Sequence, residues 1–411
     1  MDDQMETRYQ PKLGEPIISG TSAIFLIVGL VGLGLCFSPD DAAGQSHPLD
    51  SLQAGQWYEV PNSKLSSVYP SPTPPGDPVD IMLAWNGGAF DTTRNNLIVW
   101  GGGHGNYGGN EIYTFNIDTL RWIRAWGPSP SIPSPVPAAC NETYPDGNPA
   151  SRHSYSSMEY IPSVDRFFNQ GGSLWCQNGS PSGATWLFNF STGAWARQKD
   201  VPSGSGGMGH LGSLAAYDPV RQHVFNQRLT QFEEFDPAAN SYTTRGNIQN
   251  CGSGGNWQDR MSAAIDPERR KFVWVGAGYV RVWDLVNFSC NEYTAAQIGG
   301  DDIVVNSDAP GFQYDPTIKK FVAWQGGANV YTFDISTLSV TLIPPAASNT
   351  VTPPTPNNNT SKGTYGKFRY IPSRNAYVMA HMTTQNVYLY RLSSGTGDVS
   401  APAAPTGLTV R

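Results

Sequence analysis

Four histidines, His104, His153, His210 and His381, fall in well-separated stretches of the chain, with Tyr107, Tyr155, Trp257, Arg260 and Tyr365 beside them or at matching places in a repeated unit. A neutral imidazole can take a proton and a phenol can return one. A guanidinium can neutralise a carboxylate so that the C–H next to it becomes acidic. Together these groups suit β-elimination on a uronate-bearing chain. In that scheme His153, Tyr155, His210 and Arg260 are the catalytic set, with Arg260 as carboxylate neutraliser, His153 or His210 as base and Tyr155 as acid. His104, Tyr107, Trp257, Tyr365 and His381 then form stacking or hydrogen-bonding walls for the substrate.

Plainer readings stand beside this one. A histidine or tyrosine at a strand end can simply hydrogen-bond a neighbouring loop carbonyl. Trp257, flanked by Gly254, Gly255 and Asn256, suits stacking on a sugar ring and capping a sheet equally well. Three histidines from different places could hold a divalent metal, although no His-x-His pair occurs. No other cofactor is expected. The glycines around His104 are not a phosphate loop, because they join two strands and no helix N-terminus follows.

These residues belong to a repeat. AFDTTRNNLIVWGGG, MEYIPSVDRFFNQGG, AAYDPVRQHVFNQ, AAIDPERRKFVWVGAG, FQYDPTIKKFVAWQGG and FRYIPSRNAYVMAH each read as an apolar strand, a polar turn and a second apolar strand. A third strand follows each copy, as in EIYTFNI, TWLFNF, QFEEFDP, VRVWDL, NVYTFDI and NVYLYRL. Most copies continue to a fourth strand that opens on an aromatic, at Trp122, Trp195, Tyr242 and Tyr293. Apolar runs of five or six residues bounded by turns fit strands and defeat a helical period. Units recurring every 50 to 70 residues or so are blades of a propeller.

The sixth copy stops after its third strand, and Gln56-Trp57-Tyr58-Glu59-Val60, ahead of the first, can donate the missing one. An all-β, six-bladed propeller over residues 55–393 is therefore expected, closed by its N-terminal strand. Seven blades is the alternative if the Pro-rich stretches hide degenerate strands. In such a blade the loop entering the innermost strand and the loop joining strands two and three share one face. His104, Tyr107 and His381 sit in the second kind of loop. His153, Tyr155, His210, Trp257, Arg260, Asn306, Asp308, Tyr365 and Lys367 sit in the first. One continuous depression at a single mouth is the expectation.

The stretch Leu97 to Trp122, LIVWGGGHGNYGGNEIYTFNIDTLRW, resembles a kelch repeat of the galactose-oxidase-like propellers, with an apolar strand, a glycine pair, Tyr113 and Trp122. Pairs recur at Gly171-Gly172 and Gly326-Gly327 and are replaced by Gln227-Arg228 and Gly276-Ala277 elsewhere. The resemblance implies the fold alone, because kelch-like propellers include oxidases, lyases and interaction modules. The mouth residues resemble those of propeller-fold polysaccharide lyases, which use His, Tyr and Arg there. Copper radical oxidases need a tyrosine cross-linked to a cysteine. Cys176 and Cys251 lie on mouth loops, but no copper motif is visible. APAAPTGLTV, from Ala401 to Val410, resembles the opening strand of a fibronectin type III domain.

Composition narrows the function further. With 44 Gly, 33 Pro, 14% charged residues and a net charge of −7, the chain is all-β in character and offers no basic cluster for nucleic acid. Residues 1–16 form a tail. Residues 17–38 include the apolar run AIFLIVGLVGLGLCF and read as a signal peptide or a single membrane anchor. Residues 39–54 read as a linker and 394–411 as a second linker with the fibronectin-like start. No Lys or Arg follows the apolar run before Lys64, so the propeller is expected outside the cytoplasm, in the extracellular space, the periplasm or on the cell surface.

Of the 5 cysteines, Cys36 lies in the apolar segment. Cys140 is expected to pair with Cys176 on the mouth face, whereas Cys251 and Cys290 start from opposite faces. The expected partner is a polysaccharide or surface glycan, with the membrane as a second one if the N-terminal segment stays uncleaved, and a monomer is expected. A non-catalytic glycan- or protein-binding module is the alternative to the lyase.

Overall fold

Alternating and short continuous apolar runs, cut by Asp-Pro, Ile-Pro and glycine turns, can satisfy their backbone only by pairing with one another, and they do so as six antiparallel sheets. The computed structural model describes residues 46–204, 212–251, 258–356 and 363–393. The N-terminal tail, the apolar segment, residues 39–45 of the linker and the fibronectin-like end lie outside them. Among the described residues no helix is long and apolar enough to cross a membrane.

The first blade runs Ala89–Asp91, Asn96–Trp100, Ile112–Asn116 and Arg121–Trp126, in that order from the axis outward. The second runs Met158–Ile161, Arg166–Gln170, Thr185–Asn189 and Ala194–Arg197, and the third Leu214–Asp218, His223–Arg228, Gln231–Asp236 and Ser241–Asn247. The fourth comprises Ser262–Asp266, Lys271–Gly276, Tyr279–Asp284 and Cys290–Thr294. The fifth comprises Gly311–Asp315, Lys320–Trp324, Val330–Asp334 and Ser339–Ile343. It also carries Gly299–Gly300, parallel to Ser339–Val340 on its outer edge. The sixth has Phe368–Ile371, Ala376–Met379 and Tyr388–Arg391, and its outer strand is Gln56–Glu59. The chain is a six-bladed β-propeller, and the N-terminal strand closes its last blade as the sequence indicated.

One turn builds every inner hairpin. Asp91 Oδ1 accepts from the Thr93 and Arg94 amides at 2.9 and 3.0 Å. Asp266 repeats this with Glu268 and Arg269, and Asp315 accepts from Thr317 at 2.8 Å. A left-handed residue then starts the second strand in all six blades: Asn95, Asp165, Gln222, Arg270, Lys319 and Asn375. That is a type I turn followed by a left-handed residue, which turns the chain back with the twist of the strands.

Innermost strands of successive blades touch around the whole ring, the first against the sixth included. Between each neighbouring pair of blades lies one apolar cluster. Near the axis, Arg369 of the sixth blade reaches the first and second, donating to Glu159 at 3.1 Å and to the Gly88, Met158 and Gly366 carbonyls at 2.6, 3.0 and 3.0 Å. Residues 47–52, expected as linker, pack on the ring. Leu49 is fully buried, and His47 Nε2 donates to the Ile117 carbonyl at 2.8 Å.

Cys140 bonds Cys176, with Cα atoms 5.1 Å apart, as expected from the shared face. Cys251 bonds Cys290 at 4.7 Å, which corrects the opposite-face argument. Twist accumulates over four strands, so the end of an outer strand swings toward the next blade. The turn Ile248–Asn250 accordingly packs on Cys290–Thr294.

Candidate functional site at the propeller mouth

The loops entering the innermost strands meet at the centre of the mouth. Trp85, Tyr155, Ala309 and Tyr365 occupy them with φ of 48°, 50°, 44° and 49°. Left-handed backbone at bulky residues costs on the order of 1–3 kcal/mol each and gathers at functional sites, because the surroundings must enforce it. Here the enforcement is visible. The Tyr155 amide donates to the Trp85 carbonyl at 2.7 Å, Ala309 to Arg260 at 2.8 Å and Tyr365 to Ala309 at 3.1 Å. Tyr155, Ala309 and Tyr365 pack together with Trp85 against them, and the two phenol rings lie 6.2 Å apart. Gly87 permits this closeness, since a Cβ there would meet the Tyr155 carbonyl oxygen at 2.3 Å.

Two imidazoles adjoin this cluster. His153 lies on the short strand Arg152–His153, paired with Ser173–Leu174, and His104 projects from the glycine-rich loop of the first blade. Their rings are 5.2 Å apart, and His153 also meets Trp85 at 5.1 Å and Tyr155 at 6.1 Å. His153 is fully buried, whereas His104 is half-buried. Burial, with the neighbouring His104 second, holds His153 well below the ordinary imidazole range, against the Gly103 carbonyl. Burial also lowers His104, against the Asn178 carbonyl. Both are therefore neutral near pH 7, the form that accepts a proton.

Arg260 borders the cluster from the fourth blade. Asp308 Oδ1 accepts from its Nη2 at 2.6 Å and its Nε at 2.9 Å. Beside the pair, Asn306, Ser307, Gln325 and Thr364 line a cleft of about 260 Å³. The Tyr365 hydroxyl donates to the Asp259 carbonyl, and burial raises the Asp259 carboxyl.

The structure thus links His104, His153, Tyr155, Tyr365 and Arg260 as successive neighbours and does not bring every expected residue with them. Tyr107 is in the core between the first and last blades, its hydroxyl donating to Glu111 at 2.5 Å. The glycine-rich loop folds back far enough to bury it. His381 is also buried, 6.2 Å from Trp324, and burial plus the Lys367 charge pull it down to about 3. Lys367 is buried too, donating to the Asn86 carbonyl and to Gly363 at 3.1 Å, and burial pulls it down to about 7. His210 and Trp257 lie outside the described residues.

Trp85, Asn106, Asp80 and Asp259 escaped the sequence reading. Trp85 had a signal, because it precedes the first inner strand as Tyr155 and Tyr365 precede theirs. Among the described residues no group of three or more His, Cys, Asp and Glu is arranged to hold a metal ion. Cys176 and Cys251 are both in disulfides, so neither is available for the tyrosine cross-link of a copper radical site.

Fold and site together define a six-bladed β-propeller with an aromatic and imidazole cluster at its mouth. No family model matches the chain, and no curated protein matches it. Among solved structures it is similar to a structural genomics protein of unknown function from Bacteroides thetaiotaomicron VPI-5482. The two share 12% identity over 83% of this chain and 73% of that one, with a TM-score of 0.49.

Proposed function

We propose that this chain is a carbohydrate-active propeller that works outside the cytoplasm and cleaves an acidic polysaccharide by β-elimination at its mouth. The observation that carries the reading is a row of two neutral imidazoles and a buried phenol in successive contact, His104 with His153 and His153 with Tyr155. His104, which reaches solvent, takes the proton beside the uronate carboxylate. The electron pair forms the new C=C bond as the glycosidic C–O bond breaks, and Tyr155 or Tyr365 protonates the leaving oxygen. Burial raises both phenols, so each holds its proton until that step. Arg260 faces the carboxylate, which must share the guanidinium with Asp308. The two disulfides support an oxidising compartment. The apolar N-terminal run supports export, and the glycine pairs support a kelch-like ancestry.

A non-catalytic glycan-binding module is the second reading. It is favoured by the Arg260–Asp308 pair and by the amides and hydroxyls of the adjoining cleft, which suit neutral sugar hydroxyls. Incubation with a panel of uronate polysaccharides, read by absorbance of the unsaturated product, separates the two. The lyase requires turnover that Arg260→Ala abolishes and tighter uronate binding in Asp308→Asn. Binding without product, weakened by Asp308→Asn, selects the module.

A further inference from the structure

Asn106 stands between a carboxylate and an imidazole. Its Nδ2 is 3.3 Å from Asp80 Oδ2, and its Oδ1 is 3.0 Å from His153 Nε2. An ionised carboxylate only accepts, so the amide must turn its NH2 toward Asp80 and its carbonyl toward His153. The imidazole must then donate from Nε2, and its remaining lone pair is on Nδ1. That atom is buried and makes no well-formed hydrogen bond, the Gly103 carbonyl being the acceptor nearby that it would meet if it carried the proton.

The same short element fixes the backbone next to the ring. Asp80 opens the helical turn Asp80–Leu83, and Asn86 just beyond it accepts from the Ser154 amide at 2.8 Å and from its hydroxyl at 3.2 Å. Asn86 Nδ2 in turn donates to the Asp80 and Ile81 carbonyls at 3.3 and 3.2 Å. One turn of chain therefore sets both the position of His153 and the nitrogen that bears its proton.

We infer that Asp80 and Asn106 are positioning residues that hold His153 as the neutral Nε2–H tautomer, so that the first added proton, the one that charges the His104–His153 pair, resides on His104. Two adjoining imidazoles cannot both be charged, and a neutral amide carbonyl supports a charged ring less than a carboxylate would. Among the described residues the titratable groups facing His153 are His104, Tyr155 and, through Asn106, Asp80 with Asp77 beside it. The catalytic consequence rests on the elimination reading. The tautomer does not.

Long-range ¹H–¹⁵N spectra of the full chain labelled at histidine read the tautomers directly, with His104→Gln and His153→Gln assigning the signals. His153 should stay neutral and protonated at Nε2 across the pH range in which His104 takes up its charge. In Asn106→Asp a carboxylate meets Nε2, so the His153 titration should rise by about one unit or more and that of His104 should fall. Asp80→Asn, close in shape to the parent, should leave the fold intact and mix the tautomers. An Nδ1–H signal for His153, donating to the Gly103 carbonyl, or a charge on His153 before His104, would overturn the inference. Failure to cleave any uronate polysaccharide would remove the lyase and leave these spectra as they are.

Discussion

Trp57 stands directly opposite Tyr390 in the last blade, their rings 4.7 Å apart, with the Trp57 indole donating to the Ala328 carbonyl at 3.0 Å. A residue ahead of the first blade thus seals the ring between the fifth and sixth. Trp57→Ala should cost about 3–5 kcal/mol in a denaturant melt, as for a buried aromatic. Deleting the chain through Pro61 should cost more, because it reopens a sheet edge. A truncated protein that melts like the parent contradicts closure by this strand.

Arg369 and Glu159 form an ion pair near the axis, and burial raises the Glu159 carboxyl while Arg369 draws it back. Arg369→Met strands a carboxylate and several carbonyls, so a loss of about 3–5 kcal/mol is expected. Glu159→Gln keeps an acceptor and should lose less. The double variant should fall short of the summed losses by more than about 1 kcal/mol, and simple additivity would refute the coupling.

Lys367 keeps its proton in the folded chain only up to about pH 7, whereas an unfolded lysine keeps it to about 10.4. Between those values the unfolded chain binds the extra proton, so stability attributable to this residue rises with pH. Denaturant melts of the parent minus Lys367→Met should show that rise, with a slope of up to about 1.4 kcal/mol per pH unit. A flat difference across the window excludes a buried, neutralised amine.

The two disulfides close loops of similar length, with separations of 36 and 39 residues. Loop-closure entropy gives each about 3–4 kcal/mol. Non-reducing peptide maps should recover Cys140 with Cys176 and Cys251 with Cys290. Cys140→Ser with Cys176→Ser should lower the melting point while keeping the sheet signal. A crossed pairing in the map would reject the assignment.

Much of the ring could be read from the residues because each blade repeats one local device, short apolar strands joined by an Asp- or Pro-bearing turn, which is visible without tertiary information. The donated strand was legible for the same reason, since the sixth copy ends one strand short and Gln56 to Val60 has nowhere else to pair. Depth was not legible. Tyr107 and His104 share one glycine-rich loop, yet one hydroxyl is bonded to Glu111 in the core and the other side chain reaches solvent. How far such a loop folds back depends on what it meets, here Trp175 over Gly108 and Arg152 beneath Gly103. Asp80 was missed because it acts on His153 only through Asn106. Cys251 was misplaced because cumulative twist does not show in strand order.

The account turns on the mouth being where a glycan binds and reacts, and amide chemical-shift mapping with a uronate oligosaccharide tests that most directly. The largest changes should surround His104, Tyr155, Arg260 and Asp308, and His104→Gln should abolish formation of the unsaturated product while leaving those changes in place. Changes centred instead on Tyr160, Tyr217, Tyr314 and Tyr370, which ring a cavity of about 240 Å³ at the hairpin-turn end of the inner strands, would contradict it.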